Sequence, residues 1–193
     1  MPRLRYIEES EKTPQARAMI ESAHKTGAPD PRVVSIMTRS EIGSAWVELW
    51  NKVLYEGVLP HKLKEMCRIQ ISVAHQCGYC STVRSNVAKA EGLTEAMIED
   101  LFRYETSPHF TPREKAALRY ANLFKQGEQA IDKDEVYRDL AKHFTDEEII
   151  ELGQLCAQTD GVGKFVKSLN VISWEEACEI NPKLTEARAE AAE

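Results

Sequence analysis

Apolar residues recur every three or four positions along most of this chain, a spacing that predicts amphipathic helices. One such run extends from Pro60 towards Gln76. Another begins at Ser40, a residue suited to an N-cap, and carries Trp46 and Trp50 at helical spacing. We expect this tryptophan pair in the core or at a subunit interface. No convincing period-two alternation and no Asn-Gly or Asp-Gly hairpin signal is present, so the pattern predicts an all-α fold.

Capping signals divide the second half of the chain into further helices. Thr111–Glu114, Asp132–Glu135 and Thr145–Glu148 each have the spacing of a capping box. No repeat, low-complexity linker or composition break is present, which predicts one helical domain over residues 1–180. Residues 181–193 are polar and have little apolar surface to bury, so we expect a frayed or disordered tail.

Two glycine-containing stretches also bear on the arrangement of helices. Val83 and Val87 continue a helical pattern after the cysteines, which predicts one helix from about Cys77 until Gly92 ends it. Residues 160–164, Asp-Gly-Val-Gly-Lys, lack the spacing of a phosphate-binding loop. Their two glycines predict a bend between helices.

Charge and hydropathy narrow the functional classes. The formal net charge is −6 and the basic residues are scattered, which argues against a nucleic-acid-binding protein. No apolar segment has the length of a signal peptide core or a membrane span. We therefore expect a cytoplasmic protein that does not associate with membranes, in a compartment where ordinary thiols stay reduced.

The five cysteines do not form a disulfide framework. Cys67, Cys156 and Cys178 stand alone among helical residues and are expected to be buried. Cys77 and Cys80 form a Cys-x-x-Cys pair, which indicates either a redox-active dithiol or half of a zinc site. A second cysteine pair and a close histidine pair are both missing from the sequence, so we favour the dithiol and expect no metal or other cofactor. The remaining alternative is that both cysteines simply pack.

The surroundings of the pair favour thiolate chemistry. Gly78 permits a change of direction, so a new helix is expected to begin around residues 77–80. Unpaired backbone N–H groups in a first helical turn stabilise a thiolate. Arg84 lies four residues after Cys80 and is expected on the same helical face, where its charge would lower the thiol pKa further.

Residues 59–66, 71–75 and 77–80, taken together, resemble the carboxymuconolactone decarboxylase superfamily, and within it the alkylhydroperoxidase D branch. The branch has a glutamate, eleven intervening residues and then Cys-x-x-Cys, and this chain follows that spacing from Glu65 onwards. The resemblance covers about residues 58–170 and, more weakly, the N-terminal helices.

The resemblance implies an alkylhydroperoxidase D-like helical bundle that assembles into trimers or hexamers. It also implies an antioxidant enzyme, a peroxiredoxin-type thiol peroxidase that reduces hydroperoxides. Cys80 would attack the peroxide, Cys77 would resolve the sulfenic acid as a disulfide, and Glu65 would belong to the proton relay. The implied reductant is a dithiol such as a lipoyl protein or a thioredoxin-like protein.

One position departs from the branch pattern, because Arg84 stands where the relay histidine is expected. Arginine can stabilise a thiolate but cannot accept a proton. Glu65 or His75 could carry the proton instead, and Tyr79 could hydrogen-bond the peroxide or simply pack. Two other functions stay open: a non-catalytic redox-sensing or interaction oligomer, and a carboxymuconolactone decarboxylase-like enzyme. The second is disfavoured because those decarboxylases work without the dithiol.

Overall fold

The computed structural model describes residues 2–26, 31–126 and 128–191, and the regular structure in these ranges is entirely helical. The predicted all-α class is therefore confirmed. The α-helices in chain order are α1 (Pro14–Thr26), α2 (Arg32–Met37), α3 (Glu41–Tyr55), α4 (His61–Ala74), α5 (Gly78–Thr82), α6 (Asn86–Ala90), α7 (Glu95–Glu99), α8 (Pro112–Gln126), α9 (Glu128–Ile131), α10 (Asp134–Leu140), α11 (Asp146–Leu169), α12 (Trp174–Ile180) and α13 (Lys183–Ala191). Short 3-10 helices occupy Glu9–Glu11 and Asp100–Arg103. Within the described ranges, no helix combines the length and apolar character needed to cross a membrane.

Helix starts follow the capping signals in most cases. The Ser40 hydroxyl accepts a hydrogen bond from the third residue of α3, at 2.9 Å. The boxes at Thr111 and Thr145 form reciprocally with the glutamate three residues later in each case. The box predicted at Asp132 does not form, since α10 starts later and its N-cap, Lys133, makes no side-chain bond.

The most buried helix is α4, which packs mainly against α8 and α11 and also contacts α5, α6 and α13. Almost all of its residues from His61 to Val73 are buried, including the ionisable Lys64, Glu65 and Arg68. A helix that is buried on every side forms the centre of a domain. Polar side chains on α4 are consequently held in the interior, where they need partners.

A second, smaller apolar cluster lies where the N-terminal helices meet the end of α11. It includes Met19 of α1, Val33 of α2, Val47 of α3 and Val166 of α11, and Cys77 belongs to it. The N-terminal helices therefore cover the cysteine pair.

The single helix predicted after the cysteines is broken in the structure. Helix α5 ends at Thr82 and α6 begins at Asn86, with Val83 and Ser85 in extended conformation between them. The guanidinium of Arg68 binds the backbone carbonyl of Val83, so a tertiary hydrogen bond takes the place of continued helix. Tertiary contacts commonly override helix propensity in this way.

Two expectations for the C-terminal part of the chain are wrong. Residues 160–164 lie inside the continuous helix α11 rather than at a bend. The tail expected over 181–193 to be frayed or disordered forms α13 within the described residues, and Leu184 is buried there at 4% exposure. Helix α13 packs against α4, and a few apolar side chains are enough to hold this otherwise polar segment against the core.

Candidate functional site

The cysteine pair lies at the start of α5 and forms a disulfide in this structure, with the two Cα atoms 5.2 Å apart. Cys77 is the N-cap residue, and its sulfur accepts a hydrogen bond from the Cys80 backbone N–H at 3.3 Å. Cys77 is 1% exposed, whereas Cys80 is partly exposed and lines a cavity. One sulfur is therefore open to a small molecule and the other is shielded behind it.

Gly78 serves a different purpose from the change of direction expected for it. The positive φ of 54° before the pair belongs to Gln76. A Cβ atom at Gly78 would lie 2.2 Å from the backbone oxygen of Ser173 and 2.5 Å from that of Ile172. Glycine is needed here because the start of α5 packs directly against the backbone that precedes α12.

Behind the pair, Glu65 and Arg68 form a buried ion pair on consecutive turns of α4. Arg68 Nε and Nη2 donate to the two carboxylate oxygens at 2.7 and 2.8 Å. The Ser85 backbone N–H donates to Glu65 Oε1 at 3.1 Å. Burial alone would raise the pKa of Glu65, but the Arg68 guanidinium outweighs it and holds that pKa below the usual carboxyl value.

Arg68 also fixes the backbone of the cysteine segment. Its Nη1 donates to the Cys80 carbonyl at 2.7 Å and its Nη2 donates to the Val83 carbonyl at 2.9 Å. The sequence interpretation missed this residue. The available signal was a pair of opposite charges three positions apart, Glu65 and Arg68, within a run that is otherwise largely apolar.

Arg84 does not occupy the place predicted for it, one turn further along the helix of Cys80. Helix α5 ends before it, and Arg84 Nη1 donates to the carbonyls of Ser81 and Val83 at 2.6 and 2.9 Å. Its side chain lines a different cavity, together with Glu95. Burial, followed by the charge of Arg68, lowers the pKa of Arg84.

His75 and Tyr79 differ in their relation to the cavity, since Tyr79 lines it whereas His75 pairs with Asp160 on α11. His75 Nε2 is 2.8 Å from Asp160 Oδ1, and burial lowers the His75 pKa although Asp160 partly offsets this effect. A Cβ at Gly163, a cavity-lining residue, would lie 3.7 Å from His75 Nδ1, so the histidine lies against α11. Tyr79 is 8% exposed and lines the cavity itself, beside Cys80.

A hydrogen-bonded chain that the sequence interpretation did not identify connects the cavity with His61. His61 Nδ1 is 2.7 Å from the Leu54 carbonyl, which can only accept, so this nitrogen carries the proton. His61 Nε2 is also 2.7 Å from the Ser85 hydroxyl, and it accepts from that hydroxyl when the imidazole is neutral. The Tyr55 ring stacks on His61 at a centroid distance of 4.7 Å, and its hydroxyl lies near Thr26 and Ser85.

Ser85 and Tyr55 both line the cavity, so the Ser85–His61 hydrogen bond leads from its surface to a buried imidazole. Burial raises the pKa of Tyr55, which keeps the phenol protonated at neutral pH. His61 directly follows the Pro60 that opens α4, and its position next to a helix start was the only local signal for it.

The cavity beside Cys80 has a volume of about 140 Å³. Its walls are mainly apolar and come from α1, α2, α3, α4, α5 and α11. Trp46 and Trp50, expected in the core or at a subunit interface, stack with centroids 5.8 Å apart and line it. Among the described residues, no group of three or more His, Cys, Asp or Glu side chains is arranged to hold a metal ion.

Residues 40–123 match the sequence model of the carboxymuconolactone decarboxylase family. The uncharacterized protein Rv2313c of Mycobacterium tuberculosis is 31% identical over 90 residues, which make up 46% of this chain and 31% of that protein. The uncharacterized protein YdfG of Bacillus subtilis is 26% identical over 102 residues, or 53% of this chain and 69% of that protein. The match with the M. tuberculosis protein thus spans less than a third of its length.

Three solved structures share the fold. The debrominase Bmp8 superposes with a TM-score of 0.71 at 20% identity, over 96% of both chains. A cysteine-to-alanine variant of Bmp8 in complex with 2,3,4-tribromopyrrole also gives 0.71, at 18% identity, covering 99% of this chain and 98% of that one. A protein of unknown function from Agrobacterium tumefaciens, suggested to be the antioxidant defence protein AhpD, gives 0.61 at 21% identity over 70% of this chain and 93% of that one. The predicted alkylhydroperoxidase D-like helical fold is confirmed.

Proposed function

We propose that this chain, which belongs to the carboxymuconolactone decarboxylase family over residues 40–123, is a dithiol enzyme that reduces hydroperoxides. The observation that carries the proposal is the unequal placement of its two sulfurs. Cys80 lines an apolar cavity, and Cys77 lies at disulfide distance behind it with 1% exposure. Such an arrangement suits an attacking thiolate with a shielded resolving thiol.

In the proposed reaction, the Cys80 thiolate attacks one peroxide oxygen, forming an S–O bond as the O–O bond breaks. The departing alkoxide takes up a proton and leaves as the alcohol. The Cys77 thiolate then attacks the sulfur of the Cys80 sulfenic acid, which closes the disulfide and releases hydroxide. An external dithiol, such as a lipoyl or thioredoxin-like protein, restores both thiols by exchange.

Protons need a route that does not use Arg84. We assign the proton route to Ser85 and His61, because Ser85 lies on the cavity surface and its hydroxyl is 2.7 Å from His61 Nε2. Glu65 is ionised and bound to Arg68, which suits it to positioning the cysteine segment rather than to donating protons. His75 pairs with Asp160 of α11 and does not line the cavity, so it is less well placed for this task.

A second candidate function is reductive dehalogenation of an aromatic ring. The likeness to the debrominase Bmp8 covers 96% of this chain, including the N-terminal helices that wall the cavity. Cys80 thiolate would take the bromine as the ring carbon gains a proton, giving a sulfenyl bromide. Attack by Cys77 would then release bromide and form the same disulfide, so the two electrons again come from the dithiol.

The test is thiol-dependent consumption of tert-butyl hydroperoxide with dihydrolipoamide as reductant. We expect turnover in the wild type, loss of turnover in Cys80→Ser, and retention in Cys178→Ser, which changes another thiol that is not fully buried. In Cys77→Ser, a sulfenic acid trapped by dimedone should accumulate on Cys80.

Three further measurements separate the alternative functions. Bromide release from a bromophenol in the absence of peroxide turnover would move the function to dehalogenation. Lactone decarboxylation that survives replacement of both cysteines would identify a decarboxylase. Reversible oxidation of Cys77 and Cys80 without any turnover would refute the proposal that the chain is an enzyme and would support a redox-sensing oligomer. Assembly into trimers or hexamers stays a prediction that light scattering can check.

A further inference from the structure

We propose that the cavity beside Cys80 binds a substrate built on a single aromatic ring that carries one group able both to donate and to accept a hydrogen bond. This inference rests on the proposed function in one respect, namely that the sulfur of Cys80 is the reacting atom. The substrate class itself is argued from the size of the cavity, its apolar walls and two unpaired polar groups.

The volume of the cavity limits the substrate to about one ring. At about 140 Å³ it is close to an engineered protein cavity of about 150 Å³ that binds benzene. At the packing density of about 0.74 found in protein interiors, a fused two-ring molecule exceeds this space, and a peroxide without an organic group leaves most of it empty.

The walls favour an aromatic ring over a polar molecule. The indole rings of Trp46 and Trp50 stack with an interplanar angle of 21°, so they present one extended aromatic surface. Val162 and Val166 on α11 lie four residues apart on one helical face and also line the cavity. Stacking and edge contacts against such walls stabilise a flat apolar ligand.

Two polar groups in these walls have no hydrogen-bond partner among the residues that the structure describes. Both the amide oxygen and the amide nitrogen of Gln158 are buried and unpaired, and so is the indole Nε1–H of Trp46. Gln158 lies one turn before Val162, on the cavity face of α11, while Trp46 lies on α3. Buried polar atoms are nearly always satisfied, so three unpaired ones around a single cavity indicate a ligand that supplies their partners.

The type of ligand group follows from what each atom can do. The Gln158 oxygen only accepts, whereas the Gln158 nitrogen and the Trp46 Nε1–H only donate. A phenolic hydroxyl both donates and accepts, so it can bond the glutamine oxygen and one of the two donors. A simple hydrocarbon ring would leave all three atoms unpaired. A site of this kind rejects analogues that lack the hydrogen-bonding group.

Calorimetric titration of Cys80→Ser separates ligand binding from turnover. Four probes are used: phenol, which donates and accepts; anisole, which only accepts; toluene, which does neither; and 1-naphthol, which has a second ring. We expect phenol to bind at least about tenfold more tightly than anisole or toluene, and 1-naphthol to bind more weakly than phenol. Equal binding of phenol and toluene, or no binding by any of them, would overturn the inference.

Gln158→Leu should reduce phenol affinity to the level of toluene while leaving toluene affinity equal or higher. The matched control is Gln154→Leu, one turn earlier on α11, whose side chain is exposed and does not line the cavity, so it should leave the phenol preference unchanged. If Gln158→Leu does not fold, the four-probe comparison on Cys80→Ser still decides.

Phenol selectivity in a protein without peroxide turnover would leave this inference standing and refute the proposed chemistry. Peroxide turnover without a preference for phenol would support the proposed chemistry and overturn this inference.

Discussion

Arg68→Met removes the cation that neutralises Glu65 in the centre of α4. Glu65 is 1% exposed and Arg68 is 5% exposed, so water cannot replace the lost partner without opening the core. The carbonyls of Cys80 and Val83 lose their donor at the same time. The substitution therefore leaves a buried carboxylate unpaired and releases the backbone of the cysteine segment.

The size of the effect follows from the burial of the pair. Breaking a buried ion pair by removing one partner costs about 3–5 kcal/mol, because the remaining charge is left uncompensated. Methionine fills much of the space of the arginine stem, so cavity formation adds little. With a change in Tm of about 2–4 °C per kcal/mol for a chain of this size, Arg68→Met should melt about 6–20 °C lower.

Urea denaturation followed by circular dichroism at pH 7 measures this loss. The double variant Glu65→Gln with Arg68→Met should recover at least about 1–2 kcal/mol of it, since the unpaired charge is gone and the glutamine oxygen can still accept from the Ser85 N–H. A loss below about 1 kcal/mol in the single variant would refute the argument. So would a double variant that is less stable than Arg68→Met alone.

Arg68→Lys separates charge from positioning. Lysine keeps the cation near Glu65 but lacks the planar fork that also reaches the carbonyls of Cys80 and Val83. We expect most of the stability to remain, while the rate of iodoacetamide alkylation of reduced Cys80 changes several-fold. An unchanged rate would show that Arg68 does not position the cysteine segment.

Three further substitutions test other contacts. His61→Gln should reduce hydroperoxide turnover about 100-fold in a folded protein if His61 is the proton acceptor, and unchanged kcat would refute that role. Burial holds the pKa of His75 below its unfolded value of about 6.5, so the unfolded chain binds the proton more readily and stability is lost as pH falls below that value. His75→Gln should therefore show a smaller drop in Tm between about pH 7 and pH 5 than the wild type, and an equal drop would contradict this account. Gly78→Ala should cost about 1–3 kcal/mol, because its Cβ would lie 2.2 Å from the Ser173 oxygen. Its control, Gly161→Ala, meets nothing within 4 Å inside α11 and should be neutral or stabilising in thermal unfolding.

Features that depend on neighbours along the chain could be predicted from the amino-acid sequence. Apolar spacing predicted the helical class, and the caps at Ser40, Thr111 and Thr145 marked helix starts correctly, since each cap bonds to a residue three positions away. Cys77 and Cys80 could be identified as a pair for the same reason, because one helical turn brings residues three positions apart close together.

The surroundings of that pair depend on long-range packing, which the sequence pattern does not report. Arg84 was expected beside Cys80 by helical spacing, but hydrogen bonds from Arg68 end the helix first and direct Arg84 elsewhere. The cavity brings together Trp46 and Gln158, which are far apart in the chain and carry no local sign of meeting. The spacing of apolar residues shows which face of a helix is apolar. The packing of the helices around α4 and α11 determines whether that face lines a cavity or is filled by other side chains.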